Sequence, residues 1–232
     1  MIPILSHDPE SPFPDIDNAL EVPAGLLAAG GDLSPTRLIN AYKHGIFPWY
    51  NQDEPILWWA PVPRCVIYPV AVHISKRLRR HYNQSVFTLS IDTAFEQVIN
   101  ACADTRRDHE GTWIGTDICE AYYRLHTLGI AHSLEVWQDD ALVGGIYGLG
   151  LGSVFFGESM FSRVTDASKI ALVALCQQLH AWGYELLDCQ ISNPHLISMG
   201  AIEISGDTFK QHLKTTKGPD RWGFDFCQPA RW

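Results

Sequence analysis

A chain of 232 residues can bury a sizeable core as one large domain or two smaller ones, and its 46% hydrophobic and 19% charged residues are ordinary for a globular protein. The formal net charge of -9 argues against a protein that coats nucleic acid non-specifically, leaves room for a local basic patch and suits a cationic partner. Cysteines at wide spacing with no C-x-x-C pair, no basic-then-apolar leader at Met1-Ile2-Pro3-Ile4 and no apolar run near the ~20 residues of a membrane span argue against a disulfide scaffold and a membrane protein, and point to the cytosol.

The prolines and acids up to Pro23 follow no period and read as an extended arm or loop. Gly30-Gly31-Asp32-Leu33-Ser34-Pro35 then turns into a helix, with Ser34 as N-cap, Pro35 at the first helical position and Gly45 as the stop. Phe47-Pro48-Trp49-Tyr50 and Ile56-Leu57-Trp58-Trp59 concentrate more rings than one short helix can pack. Either some of them face a ligand, or they seal a small domain against a larger one. Pro61-Val62-Pro63 is the expected boundary, dividing a small N-terminal domain (1–62) from a larger one (63–232).

Residues 65–68 read as a strand, and Ser75 caps a short helix carrying Lys76, Arg77, Arg79 and Arg80. Such a cluster is either a solvated face or, in an acidic protein, the place for a phosphate backbone to touch. A strand is expected at 87–90, then a helix capped by Asp92 with Phe95, Val98, Ile99 and Cys102 on one face. After Gly111-Thr112-Trp113-Ile114 comes a helix whose buried stripe is Ala121, Tyr122 and Leu125, stopped by Gly129. Residues 132–137, 141–148 and 153–157 make a three-strand meander turned at Asp139-Asp140 and at the glycines Gly150 and Gly152.

The unit that follows organises the rest. A polar loop over 158–166 leads to a helix over 167–182, N-capped by Asp166, with Ile170, Ala171, Ala174, Leu175, Leu179 and Trp182 on one apolar face. Gly183 ends it, and a strand over 184–190 follows. A strand–helix–strand unit is a right-handed crossover between parallel strands, and ligands bind at the carboxyl ends of such strands. Glu158, Asp188 and Gln190 fall there, and strand alternation is expected to put Asp188 and Gln190 on one face. Each alone fits a structural hydrogen bond at a strand end; together they also fit a site. A strand at 200–205 and a helix opened by Asp207, ending near Gly218-Pro219, complete an α+β or mixed α/β chain.

Familiar chemistries drop out on spacing. Gly157-Glu158-Ser159-Met160-Phe161 lacks the last glycine of a nucleophile elbow, and Gly148-Leu149-Gly150-Leu151-Gly152-Ser153 has a serine where the dinucleotide fingerprint needs its third glycine, so it reads as a glycine-rich turn. The histidines show no metal-binding spacing, so no metal is expected, and His132 and His195 read as packing or hydrogen-bonded residues.

The order of meander, crossover helix and strand resembles the acyltransferase fold that uses acyl-CoA. The loop that would cradle its pyrophosphate, 158–166, holds two acids and no glycine, so coenzyme A is expected to fit badly and no cofactor is expected. Gly25-Leu26-Leu27-Ala28-Ala29-Gly30-Gly31-Asp32-Leu33-Ser34-Pro35, His44-Gly45-Ile46-Phe47-Pro48-Trp49, Gly111-Thr112-Trp113-Ile114, Gly157-Glu158-Ser159-Met160-Phe161-Ser162 and Asp188-Cys189-Gln190 together resemble the successive signatures of the bacterial leucyl/phenylalanyl-tRNA–protein transferases, a match running from about Gly25 to Phe209.

The resemblance implies a small N-terminal domain on a GNAT-like aminoacyltransferase domain that moves leucine or phenylalanine from aminoacyl-tRNA onto proteins with N-terminal arginine or lysine, marking them for degradation. It implies that Asp188 polarises or orients Gln190, that Gln190 contacts the attacking α-amino group and that Glu158 helps position the substrates. Trp49 and Trp113 would stack on the terminal adenosine. The donor side chain would enter a pocket of Ile146, Phe155, Met160, Leu172, Leu175 and Leu179, and Lys76, Arg77, Arg79 and Arg80 would meet the acceptor stem without reading its sequence. Leu175 and Leu179 stand where the familiar pattern has aromatics, and Ile146 where it has methionine, which leaves the preference between leucine and phenylalanine open; because an apolar pocket rejects near neighbours by only about 1–3 kcal/mol per methylene, methionine is a further candidate donor. Two other readings compete: an acyl-CoA acyltransferase, and a non-catalytic protein that binds basic N-terminal peptides.

Overall fold

Ser34 accepts a hydrogen bond from the Arg37 amide at 3.3 Å, and the helix it caps, α1 (Pro35–Lys43), ends where Gly45 takes a φ of +76°. Cap, first-turn proline and stop glycine all stand as the sequence implies. The computed structural model describes residues 2–51, 54–84, 87–107, 114–215, 222, 226 and 228–232. Around α1 lies a four-stranded sheet of β1 (Ile4–Leu5), β2 (Leu26–Gly30), β3 (Phe47–Pro48) and β4 (Leu57–Trp59), ordered β1-β2-β4-β3. The start of the chain is therefore less irregular than expected. Buried Arg37 pins it, its guanidinium donating to the carbonyls of Ser11 and Ser6 at 2.9 Å each. Arg37 thus turns an arm with no period of its own into part of the fold.

The larger sheet has seven strands in the order β11-β5-β10-β9-β8-β7-β6. Its elements run β5 (Arg64–Ile67), α2 (Lys76–Gln84), β6 (Thr88–Ile91), α3 (Phe95–Arg107), α4 (Thr116–Thr127), β7 (Ala131–Gln138), β8 (Ala141–Leu151), β9 (Val154–Ser162), α5 (Ala167–Ala181), β10 (Leu186–Gln190), α6 (Pro194–Ser198), β11 (Ile202–Ile204) and α7 (Gly206–Leu213). β6 to β9 form the antiparallel meander, α5 crosses over, and β10 pairs parallel to β9, giving the mixed α/β class and the meander–crossover–strand order expected. Alternation divides the interior between the two faces. Val154 and Phe156 join the core beneath α3, α4 and the N-terminal sheet, while Phe155 joins the one beneath α5 and α2.

Several expectations need correction. The stretch 158–166 is not a loop throughout, because β9 continues to Ser162. Its polar residues read as loop because the groups that partner them are distant in sequence. Asp166 does not cap α5 with its side chain; it sits at φ 65° and its carboxylate meets Arg77, His81 and Lys169 at 3.2–3.3 Å, joining α2 to the start of α5. α5 is buried on most sides because α2 and the turn before it cover the flank away from the sheet, so it lacks the single apolar face that its spacing suggests.

Asp92, the expected cap of α3, instead accepts from His132 and from the Ser133 amide at 2.8 Å each, and Glu135 reaches the Ala94 amide at the helix start. The glycine-rich turn is mostly strand: Gly148 and Gly150 lie within β8, and only Gly152 turns. The last helix is capped by Ser205 rather than opened by Asp207 and stops at Leu213; Gly218-Pro219 lies outside the described residues.

Candidate active site

Two β-bulges lie side by side, one within β9 and one at the end of β10. Tyr147 pairs with Ser159 and Gly148 with Gly157, which leaves Glu158 as the extra residue. Asp188 pairs with Val66 and Gln190 with Cys65, which leaves Cys189. A bulge bends its strand and re-aims a side chain. Here alternation breaks where the chemistry is, so Asp188 and Gln190 do not share a face as expected.

Gly148 is what lets the first bulge form, since a Cβ there would lie 2.1 Å from the Phe156 carbonyl oxygen. Gly148→Ala is therefore expected to cost about 2 kcal/mol or more in stability, the range of a clash the backbone must absorb, and to shift Glu158. Urea denaturation checks the first effect and a transfer assay the second.

The parallel β9–β10 ladder stops at the pair Asp188 and Phe156, and the Gln190 side chain continues it. Its Nε2 donates to the Gly157 carbonyl at 2.7 Å and to Glu158 Oε1 at 3.3 Å. Gln190 itself sits at φ 58°, a conformation that a side-chain-bearing residue holds only when its surroundings over-determine it. What holds it is Asp188, whose Oδ1 accepts from the Gln190 amide at 3.1 Å.

Asp188 is fully buried and does not line the cleft. Its carboxylate takes the Arg64 guanidinium in a two-point pair at 2.8 and 2.7 Å. Arg64 is equally buried, between the rings of Phe47 and Phe209 at 5.0 and 4.7 Å from their centroids. Asp188 and Arg64 neutralise each other, and the acid acts on the site through Gln190.

Glu158 is buried too, with three donors: Tyr42 at 2.7 Å, Tyr122 at 3.0 Å and Gln190. The two tyrosine oxygens also lie against each other, and with one proton on each hydroxyl all three contacts are filled only when the Glu158 carboxyl carries a proton of its own. Burial pushes the Glu158 carboxyl up to about 7, against the pull of both tyrosine hydrogen bonds, and burial beside that carboxylate holds both phenols well above their usual range. Sequence reading misses Tyr42, Tyr122 and Arg64 as site residues. Tyr122 falls within an apolar stripe, and nothing local to Arg64 announces a buried cation.

Glu158 and Gln190 border a cleft of about 330 Å³ between the bulges, α5, α6 and the N-terminal sheet. Of the expected pocket residues, Ile146, Met160 and Leu172 line it. Phe155, Leu175 and Leu179 do not; they sit behind it in the core on the α5 side. Phe47, Pro48 and Trp49 line the opposite wall, and Trp49 is 40% exposed with its ring tilted over Trp59. Some of the N-terminal aromatics thus face the cleft, while Trp58 is sealed in the core. Trp113 lies outside the described residues.

The family model described as "Leucyl/phenylalanyl-tRNA protein transferase" matches residues 66–214, and the model of that family's N-terminal domain matches 31–62. Proteins named leucyl/phenylalanyl-tRNA–protein transferase are 51% identical in Nitrosomonas europaea over 226 residues (96% of each chain) and 51% identical in Nitrosospira multiformis over 232 residues (98% of this chain, 99% of the other). The one from Chromohalobacter salexigens is 56% identical over 201 residues, covering 87% of this chain and 78% of its own. The chain belongs to the leucyl/phenylalanyl-tRNA–protein transferase family.

It is accordingly an aminoacyltransferase. On the surface of this transferase Lys76, Arg77, Arg79 and Arg80 are all exposed on α2, with Leu78 turned inward. Among the described residues no helix is long and apolar enough to cross a membrane. Asp92, His126 and His132 bring metal-capable atoms together, but both imidazole Nδ1 atoms already meet oxygen, His132 at Asp92 and His126 at the Ala131 carbonyl at 2.9 Å. His132 also stacks on Trp222, in keeping with a packed, hydrogen-bonded residue.

Proposed function

We propose that this transferase moves leucine or phenylalanine, and also methionine, from aminoacyl-tRNA to the α-amino group of proteins whose N-terminal residue is arginine or lysine, in the cytoplasm, and so marks them for degradation. One observation carries this reading: a carboxamide whose donors are committed to Glu158 and Gly157 stands beside a carboxyl that titrates near neutrality, at the mouth of a largely apolar cleft.

An aminoacyl ester is already activated, so the enzyme's work is to hold a neutral amine against the carbonyl. With Gln190 Nε2 engaged, its carbonyl oxygen receives an N–H of the incoming α-amino group. That nitrogen attacks the ester carbon, the amide forms, the bond to the ribose oxygen breaks, and the amine's proton passes by way of Glu158 to the departing hydroxyl. A base with proton affinity near the working pH suits both halves of this exchange. The donor side chain enters between Ile146, Met160 and Leu172, with Phe155, Leu175 and Leu179 stiffening the wall from behind. Trp49 and Trp113 stack on the terminal adenosine, worth about 1–3 kcal/mol per base.

The decisive test incubates the protein with leucyl-tRNA and a peptide beginning with arginine. Transfer of leucine to that peptide is expected, and its absence would refute the proposal. Binding of coenzyme A would favour the acyl-CoA reading instead.

The basic face of α2 carries the acceptor stem in this proposal. Reversing Lys76, Arg77, Arg79 and Arg80 to glutamate is expected to weaken tRNA binding at least about tenfold and to reduce the slope of log affinity against log salt by about 1 for each phosphate that is no longer neutralised. Filter binding from low to high salt measures both, and a wild-type affinity indifferent to salt would rule out a phosphate backbone on this face.

A further inference from the structure

Any cationic acceptor brings a positive charge to the cleft, and the acids nearest the reacting groups are already spoken for. Asp188 is paired with Arg64, and Glu158 is enclosed by two phenols and a carboxamide. Glu203 is different. It stands exposed on the edge strand β11, and among the described residues no cation pairs with it. Its Oε1 is held by the hydroxyl of Ser192, which lines the cleft two residues after Gln190. Register sets its distance from the chemistry: Glu203 pairs with Cys65, and Cys65 with Gln190, so Glu203 stands two strand spacings, about 10 Å, from the residue that faces the amine.

We propose that Glu203, steadied by Ser192, binds the guanidinium or ammonium side chain of the acceptor's N-terminal residue and gives the enzyme its preference for a basic terminus. This rests on the acceptor reading above and adds the residue that enforces it. While the α-amino group sits at Gln190, a long cationic side chain spans the intervening strand and meets an exposed carboxylate whose Oε1 is fixed by Ser192 and which no cation among the described residues occupies. Short or uncharged side chains leave that carboxylate in water and gain nothing.

The test compares peptides beginning with arginine, lysine and citrulline, the last an uncharged isostere of arginine, on wild-type enzyme, Glu203→Gln and Ser192→Ala. In the wild type, kcat/KM is expected to favour arginine over citrulline by about tenfold, the scale of one partly exposed, charge-assisted contact. Glu203→Gln brings that ratio close to one by raising KM for the basic peptides, with kcat at saturating peptide and KM for leucyl-tRNA unchanged. Ser192→Ala, which frees the carboxylate without discharging it, gives a smaller rise. Both variants are expected to keep the wild-type Tm. A preference for arginine that survives Glu203→Gln overturns this proposal and leaves the acceptor reading standing, as does a fall in kcat with KM unmoved. Failure of the wild type to use either basic peptide overturns both.

Discussion

Asp188→Ala is expected to lower the free energy of unfolding by about 3–5 kcal/mol and to abolish transfer, while tRNA affinity measured below the transition stays within about twofold. The physical reason is the cation left behind. Arg64 lies buried between Phe47 and Phe209, and without Asp188 its guanidinium loses its counter-charge and both hydrogen bonds. Loss of this size moves the midpoint of a chain this long by about ten degrees. Activity falls for a separate reason, because the Asp188 oxygen that holds the Gln190 amide in its φ 58° conformation is gone and the carboxamide no longer faces the cleft. Thermal and urea denaturation read the first effect, and single-turnover transfer at low temperature reads the second. Arg64→Ala on its own strands a buried carboxylate and is expected to cost about as much, whereas the double variant costs less than the sum of the two. Additive costs would show that the pair does not act as one unit.

Glu158→Gln is expected to move stability and activity in opposite directions. Burial raises the carboxyl from its ordinary 4.5 to about 7, so between those values the folded protein holds a proton that the unfolded chain has released. That favours folding at low pH, and the advantage is lost as pH rises through about 7, where the folded state must carry a buried charge. The neutral amide escapes this. At pH 8 the variant should therefore exceed the wild type in stability by up to about 2–3 kcal/mol, with the gap closing toward pH 5. Parallel melts at the two pH values decide it, and a gap independent of pH would place the proton elsewhere. Transfer should drop about 10²–10⁴-fold, the usual contribution of a positioned base, and the wild-type rate should rise with pH through about 7 as Glu158 gives up its proton.

Much of this is open to reading along the chain. Ser34, Pro35 and Gly45 determine α1 because caps and stops act within a few residues, and alternation with paired aspartates determines the meander for the same reason. The identities of Glu158, Asp188 and Gln190 stand out through the signatures around them. Where those side chains point does not follow. Strand alternation puts Asp188 and Gln190 on one face, and two bulges, the first made possible by Gly148 and the two bridged by hydrogen bonds across 32 to 33 residues, turn them to different tasks.

The partners that set the chemistry are more distant still: Arg64 from Asp188 by 124 positions, Tyr42 from Glu158 by 116. No local pattern encodes such a pairing: Arg64 meets Asp188 only once β5 lies against β10 in the larger sheet, and Tyr42 meets Glu158 only once the N-terminal part has packed against that sheet. Three of the six expected pocket residues likewise sit in the core: Leu175 and Leu179 because a helix covered on several sides buries residues that its own periodicity cannot tell from those facing a cleft, and Phe155 because alternation along β9 turns it beneath α5. Local backbone preference and hydrophobic rhythm are written in the residues themselves. Proton affinity, charge pairing and the line between wall and interior come from burial, which belongs to the folded whole.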